Sequence, residues 1–363
     1  MKKFFVITIL ALLKLNLFSM YGDNNDWIDF LTDDNQFRAR VDQLGFVLGN
    51  DNVRATFGFK GNNVIISSDN DYILNAVVSA GLGYTSDVFS FGAGYNIKQV
   101  NKYLLVHTPV LAMNFLNNNL RIVAPFQIAY SKESTQYLKS DLDDYFGISI
   151  DPQIRYYFNL EHLYELRFTM KYGMNQHRFK TEELKVFNNR GSSVGFDFRL
   201  YFTSQLENIT LYPFIKITYD TSLNAKNMII TDQIRYNITA GTQALGREHP
   251  YVPYDELIFT DNPYVPYLVT VVPSLGLSSK SDIVELYLEP SLGFAMKNYD
   301  VKDTKKATYY LAWNAYGEIY IRPLKNLEFY FEVEVGNNNE NNTFTQEVQF
   351  NTTTGITWYL PKF

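Results

Sequence analysis

Tyr164-Glu165-Leu166-Arg167-Phe168-Thr169-Met170-Lys171-Tyr172 is the stretch on which the fold turns. Tyr164, Leu166, Phe168, Met170 and Tyr172 form one phase, and Glu165, Arg167, Thr169 and Lys171 form the other. An extended chain puts these two sets on opposite faces, because successive side chains of a strand alternate with period two. A helix would scatter both sets around its circumference.

The same alternation spreads outward from this segment. Leu120 to Tyr130 sets Leu120, Ile122, Ala124, Phe126, Ile128 and Tyr130 against Arg121 and Gln127. Phe146 to Phe158 sets Phe146, Ile148, Ile150, Ile154, Tyr156 and Phe158 against Ser149, Asp151, Gln153 and Arg155. Phe89 to Ile97 alternates aromatic and aliphatic residues with Ser, Gly, Gly and Asn; Val194 to Phe202, Val284 to Met296 and Leu327 to Val335 behave alike. From Phe37 onward fifteen such stretches can be read, lasting 9 to 17 residues. Ordinary strands average about five or six residues, whereas tilted strands crossing a bilayer need about 9–11.

The connections sharpen the reading. Short ones (Asn50-Asp51, Thr85 to Asp87, Leu116 to Asn119, Asn159 to His162, Thr203 to Asn208, Ser278 to Asp282, Pro323 to Asn326) alternate with mostly longer ones (Gly61 to Asp71, Ser131 to Asp144, Met174 to Ser192, Asp220 to Pro263, Lys297 to Lys306, Asn337 to Asn342). Short turns on one rim and long loops on the other are the pattern of an outer-membrane barrel, with turns periplasmic and loops outside. A soluble sandwich also alternates, but its strands are short. The expected class is therefore all-β: a transmembrane antiparallel up-and-down β-barrel, sited in the outer membrane with surface-exposed loops and surrounded by its lipid. Such a barrel satisfies its backbone by closing on itself and places aromatic girdles at both interfaces. That suits an aromatic content of 16%, with 28 Tyr and 28 Phe among 363 residues.

The strand count meets a parity problem. Phe37 to Leu48, read as one stretch, runs in the same direction as the last strand, so the total is odd and cannot close. The preferred resolution treats residues 23–48 as an N-terminal segment, a plug in the lumen or at the rim, or else a first strand. Trp27, Phe30 and Leu31 fall at i, i+3 and i+4, as in one short helix. About 14 membrane strands then remain in residues 49–363, with 16 as the alternative if part of the segment joins the wall.

The termini read as processing signals. Met1-Lys2-Lys3 followed by the apolar run Phe4 to Leu13 matches a secretory signal peptide, assigned to residues 1–22, and is too short to span a bilayer. Losing Lys2, Lys3 and Lys14 leaves 29 cationic against 38 acidic residues and a mature charge of about −9. Trp358, Leu360 and the final Phe363 resemble the mark read by barrel-assembly machinery.

Composition excludes several classes. With zero Cys there are no disulfides, Cys-based zinc sites or thiol nucleophiles, and the acidic balance argues against nucleic acid as a partner. His107, His162, His177 and His249 show no metal spacing, and nothing places one beside a Ser or Asp as a triad needs; no enzyme, metal or cofactor is expected. Gly81-Leu82-Gly83 and Gly92-Ala93-Gly94 open no helix, so they are small residues on the lumen phase rather than nucleotide loops.

The polar phase carries the candidate pore-lining residues. Arg121, Arg155, Arg167, Lys171, Arg199 and Lys216 lie on the middle strands, with Asp151, Glu165 and Asp197 among them. Glu285, Glu289, Glu318, Glu328, Glu332 and Glu334 lie on later strands, with Arg322 nearly alone. In a wall of fourteen strands these two groups would face each other and create a transverse field that orients solutes. Pairing between neighbouring strands is the plainer alternative. The long extracellular loop 220–263 contains Pro250-Tyr251-Val252-Pro253-Tyr254, repeated as Pro263-Tyr264-Val265-Pro266-Tyr267; the repeat serves either as a stiff lead into the next strand or as a Tyr-rich surface for a partner.

Met20-Tyr21-Gly22-Asp23, Asp26 to Asp33, Asn35 to Arg40 and Asp42 to Gly49 resemble the opening of the variable surface protein (Vsp) family of spirochaete outer-membrane proteins. The likeness covers about 30 residues closely and the rest by strand pattern. It implies a surface antigen encoded in several divergent copies and found in a homo-oligomer or larger surface complex. No catalytic motif comes with it. Three functions compete: a variable surface antigen with a porin-like passive pore; a non-transporting adhesin or host-interaction barrel, meeting host surface or antibodies through its loops; and a plugged uptake channel for small apolar solutes.

Overall fold

A computed structural model describes residues 21, 24–61, 65–68, 71–74, 77–99, 105–131, 143–180, 186–226, 267–298, 307–338 and 344–362. Of the expected signal segment all but Tyr21 falls outside these residues, as do most of the long loop with His249, both Pro-Tyr repeats up to Pro266, and Phe363.

Eighteen strand segments join one antiparallel sheet, and they make sixteen staves because two staves are each broken in two. In chain order these are β1 (Gln36–Arg40), β2 (Gln43–Gly49), β3 (Val53–Lys60), β4 (Val77–Tyr84), β5 (Phe89–Gln99), β6 (Leu105–Phe115) and β7 (Leu120–Ser131). Next come β8 (Asp143–Ile150 and Gln153–Tyr157), β9 (Leu163–Lys180), β10 (Val186–Phe202 and Ser204–Leu206) and β11 (Ile209–Lys226). The last five are β12 (Tyr267–Lys280), β13 (Val284–Asn298), β14 (Thr308–Leu324), β15 (Leu327–Asn338) and β16 (Phe344–Tyr359). A two-stranded ribbon, Ile65–Ser68 with Asp71–Leu74, stands apart from the wall between β3 and β4. Each stave pairs with its chain neighbours, and β1 pairs with β16 (Gln36↔Tyr359 through Arg40↔Gly355), which closes the cylinder.

Fourteen strands is thus corrected to sixteen, the alternative count. The stretch read as one strand, Phe37 to Leu48, is a hairpin in which Gln36↔Val47 and Arg40↔Gln43 pair around Val41-Asp42. The two extra staves restore an even number. A short phase slip marks the turn: the outward residues are Phe37 and Ala39 before it, and Leu44, Phe46 and Leu48 after it.

The outer surface is apolar. Leu82, Leu111, Met170, Leu288, Leu292, Leu311, Phe331 and Trp358 are exposed on it, drawn from staves all around the ring. In water such a belt would be untenable, whereas in lipid it is the required face. No described helix is long and apolar enough to cross a membrane; the crossing is by strands.

Two stave boundaries depart from the sequence reading. Pro152 lacks an N–H, and β8 breaks at Asp151-Pro152, although the Pro152 carbonyl still accepts from Met170 N–H at 3.0 Å. β9 and β10 run on through the connection expected from Met174 to Ser192, pairing as far as Lys180↔Val186, and this puts His177 on a strand. Likewise β11 continues from Asp220 to Lys226 before the long loop begins.

Candidate functional site

The lumen holds a plug built from the N-terminal segment. Asn24–Asp29 forms a single 3-10 helix, followed by a turn in which Thr32 N–H reaches the Asp29 carbonyl at 2.9 Å. Tyr21, Trp27, Ile28, Phe30 and Leu31 pack with Val47, Val110, Ala112 and Val123 of the wall into one buried apolar cluster. Trp27 is fully buried, edge-on to Phe30 with ring centroids 5.4 Å apart. Such aromatic pairs add stability beyond the area they bury.

The wall makes room for these rings with glycine. Gly81 pairs with Gly94 and Gly83 with Gly92 across β4 and β5. A Cβ at Gly94 would lie 2.3 Å from Trp27 ring atoms, and one at Gly83 2.5 Å from Leu31. The two Gly-x-Gly motifs are therefore the seat of the plug. Asn96 fixes its orientation, accepting from Trp27 Nε1 at 3.1 Å and donating to the Tyr21 carbonyl at 3.1 Å.

Polar contacts tie the plug to the rest of the wall. Asp26 meets Lys60 at 3.1 Å. Asp29 meets Arg121 at 2.7 Å and Arg155 at 3.1 Å. The Arg54 guanidinium bonds to the Asp33 carbonyl oxygen, and the Tyr21 hydroxyl donates to the Asp33 carboxylate. Asn35 then donates to the Gly49 carbonyl at 2.7 Å and the Pro361 carbonyl at 2.9 Å, locking the point where the chain enters β1 to the C-terminal end of the barrel.

The Asp33 carboxyl is pushed up to about 6 by burial, which outweighs the lowering by Arg38, the Tyr21 hydroxyl and Arg54; Asp29 adds to the rise. A carboxyl raised in the folded state stabilises the docked plug most when protonated. That stability is complete below the ordinary carboxylate range and is lost as pH rises through about 6. Protease protection of the N-terminal segment should therefore be firmer near pH 5 than near pH 7.5, and Asp33→Asn should flatten the difference.

The remaining lumen divides into charged arcs. Arg121, Arg155, Arg167, Arg199 and Lys216 stand in direct register on five adjacent staves, β7 to β11. Arg167 is held by Glu165 at 2.6 Å and Arg199 by Asp197 at 3.1 Å, each two residues away on its own strand; Lys171 reaches Asp220 at 3.7 Å. Aromatic faces support the row, with Arg121 4.8 Å from the Tyr157 ring centroid and Arg167 4.6 Å from that of Tyr201.

The glutamates occupy β13 to β15. Tyrosines hold many of them: Tyr287 donates to Glu289 at 2.6 Å, Tyr316, Tyr320 and Tyr330 donate to Glu318 at 2.5, 3.0 and 3.2 Å, and Tyr330 also bonds Glu332. Glu334 accepts from Asn314 at 2.9 Å. Arg322 bridges Glu285 and Glu328 at 2.8 Å each. Girdles alone do not account for the tyrosines, since several point inward as carboxylate donors; alternation places them on the polar phase, and that was the available signal.

Sixteen staves also change which walls face each other. Opposite staves are eight apart, so β9 at the centre of the cationic row faces β1, with Arg38 and Arg40, and within the row β7 alone, with Arg121, faces a glutamate stave, β15. The two arcs instead meet side by side at a cleft lined by Arg199, Lys216, Glu289 and Asn314. His107 takes part in neither arc: it points outward, sharing a 2.6 Å hydrogen bond with the Tyr95 hydroxyl. Trp358 lies on the outer face beside Phe37 and Leu327, and Leu360 N–H bonds to the Asn35 carbonyl at 2.7 Å.

A closed antiparallel wall, greasy outside and charged within, is that of an outer-membrane β-barrel. The chain belongs to the family described as Serpulina hyodysenteriae variable surface protein, which it matches over residues 2–359. No curated protein matches it. Among solved structures it is similar to the β domain of the Bordetella autotransporter BrkA (8% identity, 90% of this chain and 100% of that one, TM-score 0.36). It is also similar to the translocator domain of the autotransporter NalP from Neisseria meningitidis (11%, 93% and 92%, TM-score 0.37) and to the toluene transporter TodX of P. putida (11%, 95% and 94%, TM-score 0.35).

Proposed function

We propose that this protein is a surface antigen whose barrel is also a narrow, passive, ion-selective pore. The rim with long connections faces outward and presents the variable surface, as in other barrels of this topology. Solutes pass beside the plug, along Arg167, Arg199 and Lys216, the part of the cationic row that Asp29 does not engage. The supporting observation is that row: five cations stand in register on five neighbouring staves. Although Asp29, Glu165 and Asp197 pair with four of these cations, aligned cationic side chains in a low-dielectric tube bias permeation toward anions.

Refolded protein in planar bilayers tests this reading. Discrete steps favouring anions are expected, and Arg155→Glu with Arg167→Glu should move selectivity toward cations. Absence of any conductance would leave the adhesin reading. A plugged uptake channel for apolar solutes is favoured by the aromatic cluster around Trp27, and an apolar solute that shifts Trp27 emission would support it.

A further inference from the structure

The geometry points to an anion-binding site at Arg121 and Arg155 that the protein keeps filled with its own Asp29. Both guanidinium groups converge on one carboxylate, Arg121 at 2.7 Å and Arg155 at 3.1 Å. Each is fixed from behind: Arg121 Nε donates to the Asn118 carbonyl at 3.3 Å, and Arg155 Nε donates to Gln153 Oε1 at 2.9 Å. Of the five N–H donors a guanidinium carries, the wall thus takes Nε while Nη1 is aimed into the lumen at Asp29. Each arginine thus gives Asp29 one charge-assisted nitrogen, and two cations share one carboxylate.

Charge bookkeeping along the row singles out these two. Arg167 and Arg199 have Glu165 and Asp197 on their own strands, whereas Arg121 and Arg155 draw their acid from the plug. Among the described residues, removing Asp29 leaves two adjacent cations in register with no carboxylate supplied by the wall. The site is also within reach, because the Asp29 side chain keeps 39% of its surface exposed. A small carboxylate-bearing anion arriving through the lumen can therefore take over both arginines, and in doing so it cuts an anchor of the plug.

Asp29 is a tethered competitor, acting at an effective concentration in about the millimolar range. Free anions must contend with it in the wild type. The inference stands apart from the pore reading, since a barrel that conducts nothing would still bind.

Calorimetric titration of the full chain in detergent with succinate, against sodium chloride at equal ionic strength, is the test. Asp29→Ala should bind succinate about tenfold more tightly than the wild type. Adding Arg121→Gln and Arg155→Gln to that variant should abolish the gain. Equal affinity of Asp29→Ala and wild type, or a gain that survives loss of both arginines, overturns the proposal. Should Asp29→Ala fail to fold, Trp27 emission in a Trp313→Phe, Trp358→Phe background decides the matter. Succinate should redden it, and the shift should vanish in Arg121→Gln, Arg155→Gln; no shift up to saturating succinate overturns the idea equally.

Discussion

Gly94→Val should expel the plug and leave the barrel standing. A Cβ at position 94 would lie 2.3 Å from two Trp27 ring atoms and 2.7 Å from a third, far inside contact distance. Trp27 cannot slide along β5 to Gly92, because Leu31 and Phe30 already cover that position. The wall itself tolerates the change, since β-branched residues suit strands better than glycine does. What is lost is the seat of a fully buried Trp, an effect of about 3–5 kcal/mol when such a side chain is removed outright. Tyr21 and Phe30, which pack on the Trp27 ring, lose part of their burial with it. Chymotrypsin should then cut the N-terminal segment at Trp27, Phe30 or Leu31 while unboiled protein keeps its compact mobility on a gel. Trp27→Ala should reproduce this phenotype. An N-terminal segment still protected in Gly94→Val would contradict the assignment of the glycines as its seat.

Ala39→Pro should prevent closure. β1 has only five residues, yet it is the stave that joins β2 to β16. In an antiparallel ladder the N–H groups alternate sides. Val41 N–H bonds to the Thr354 carbonyl at 2.9 Å, so Ala39 N–H, two residues earlier and opposite Ile356, points at β16 as well. Proline deletes that donor from a five-residue strand paired on both edges. With so few residues holding the seam, two open sheet edges would result, which lipid does not accommodate. The expected result is loss of the compact gel form and aggregation on refolding. Ala39→Val, which points the same way into lipid, should fold normally. A compact Ala39→Pro barrel would mean that closure does not depend on β1.

These two sites differ in how visible they were. Gly81, Gly83, Gly92 and Gly94 could be placed on the lumen phase from alternation, but not matched to Trp27, because the partners lie more than fifty residues apart and no local pattern links them. The i, i+3, i+4 spacing of Trp27, Phe30 and Leu31 showed a single apolar face without saying what covers it. The seam was hidden for another reason. A two-residue turn at Val41-Asp42 interrupts the alternation by one step, and no Gly or Pro marks it, so two staves read as one.

The same division runs through the charges. Period two assigned Arg121, Arg155, Arg167, Arg199 and Lys216 to the polar phase. Their alignment into one row depends on stagger between staves, which turn lengths and strand breaks such as Pro152 set together.

Strand period, strand length and alternating connection length are local quantities, and from them the sequence alone determined an all-β barrel with apolar residues facing lipid and charged ones facing inward. Sixteen staves rather than fourteen, the plug on its glycine seat, and the capture of Asp29 by Arg121 and Arg155 were decided only in the tertiary structure. Each of these depends on bringing residues distant in the chain into contact, and closure of the ring, not any local preference, specifies those contacts.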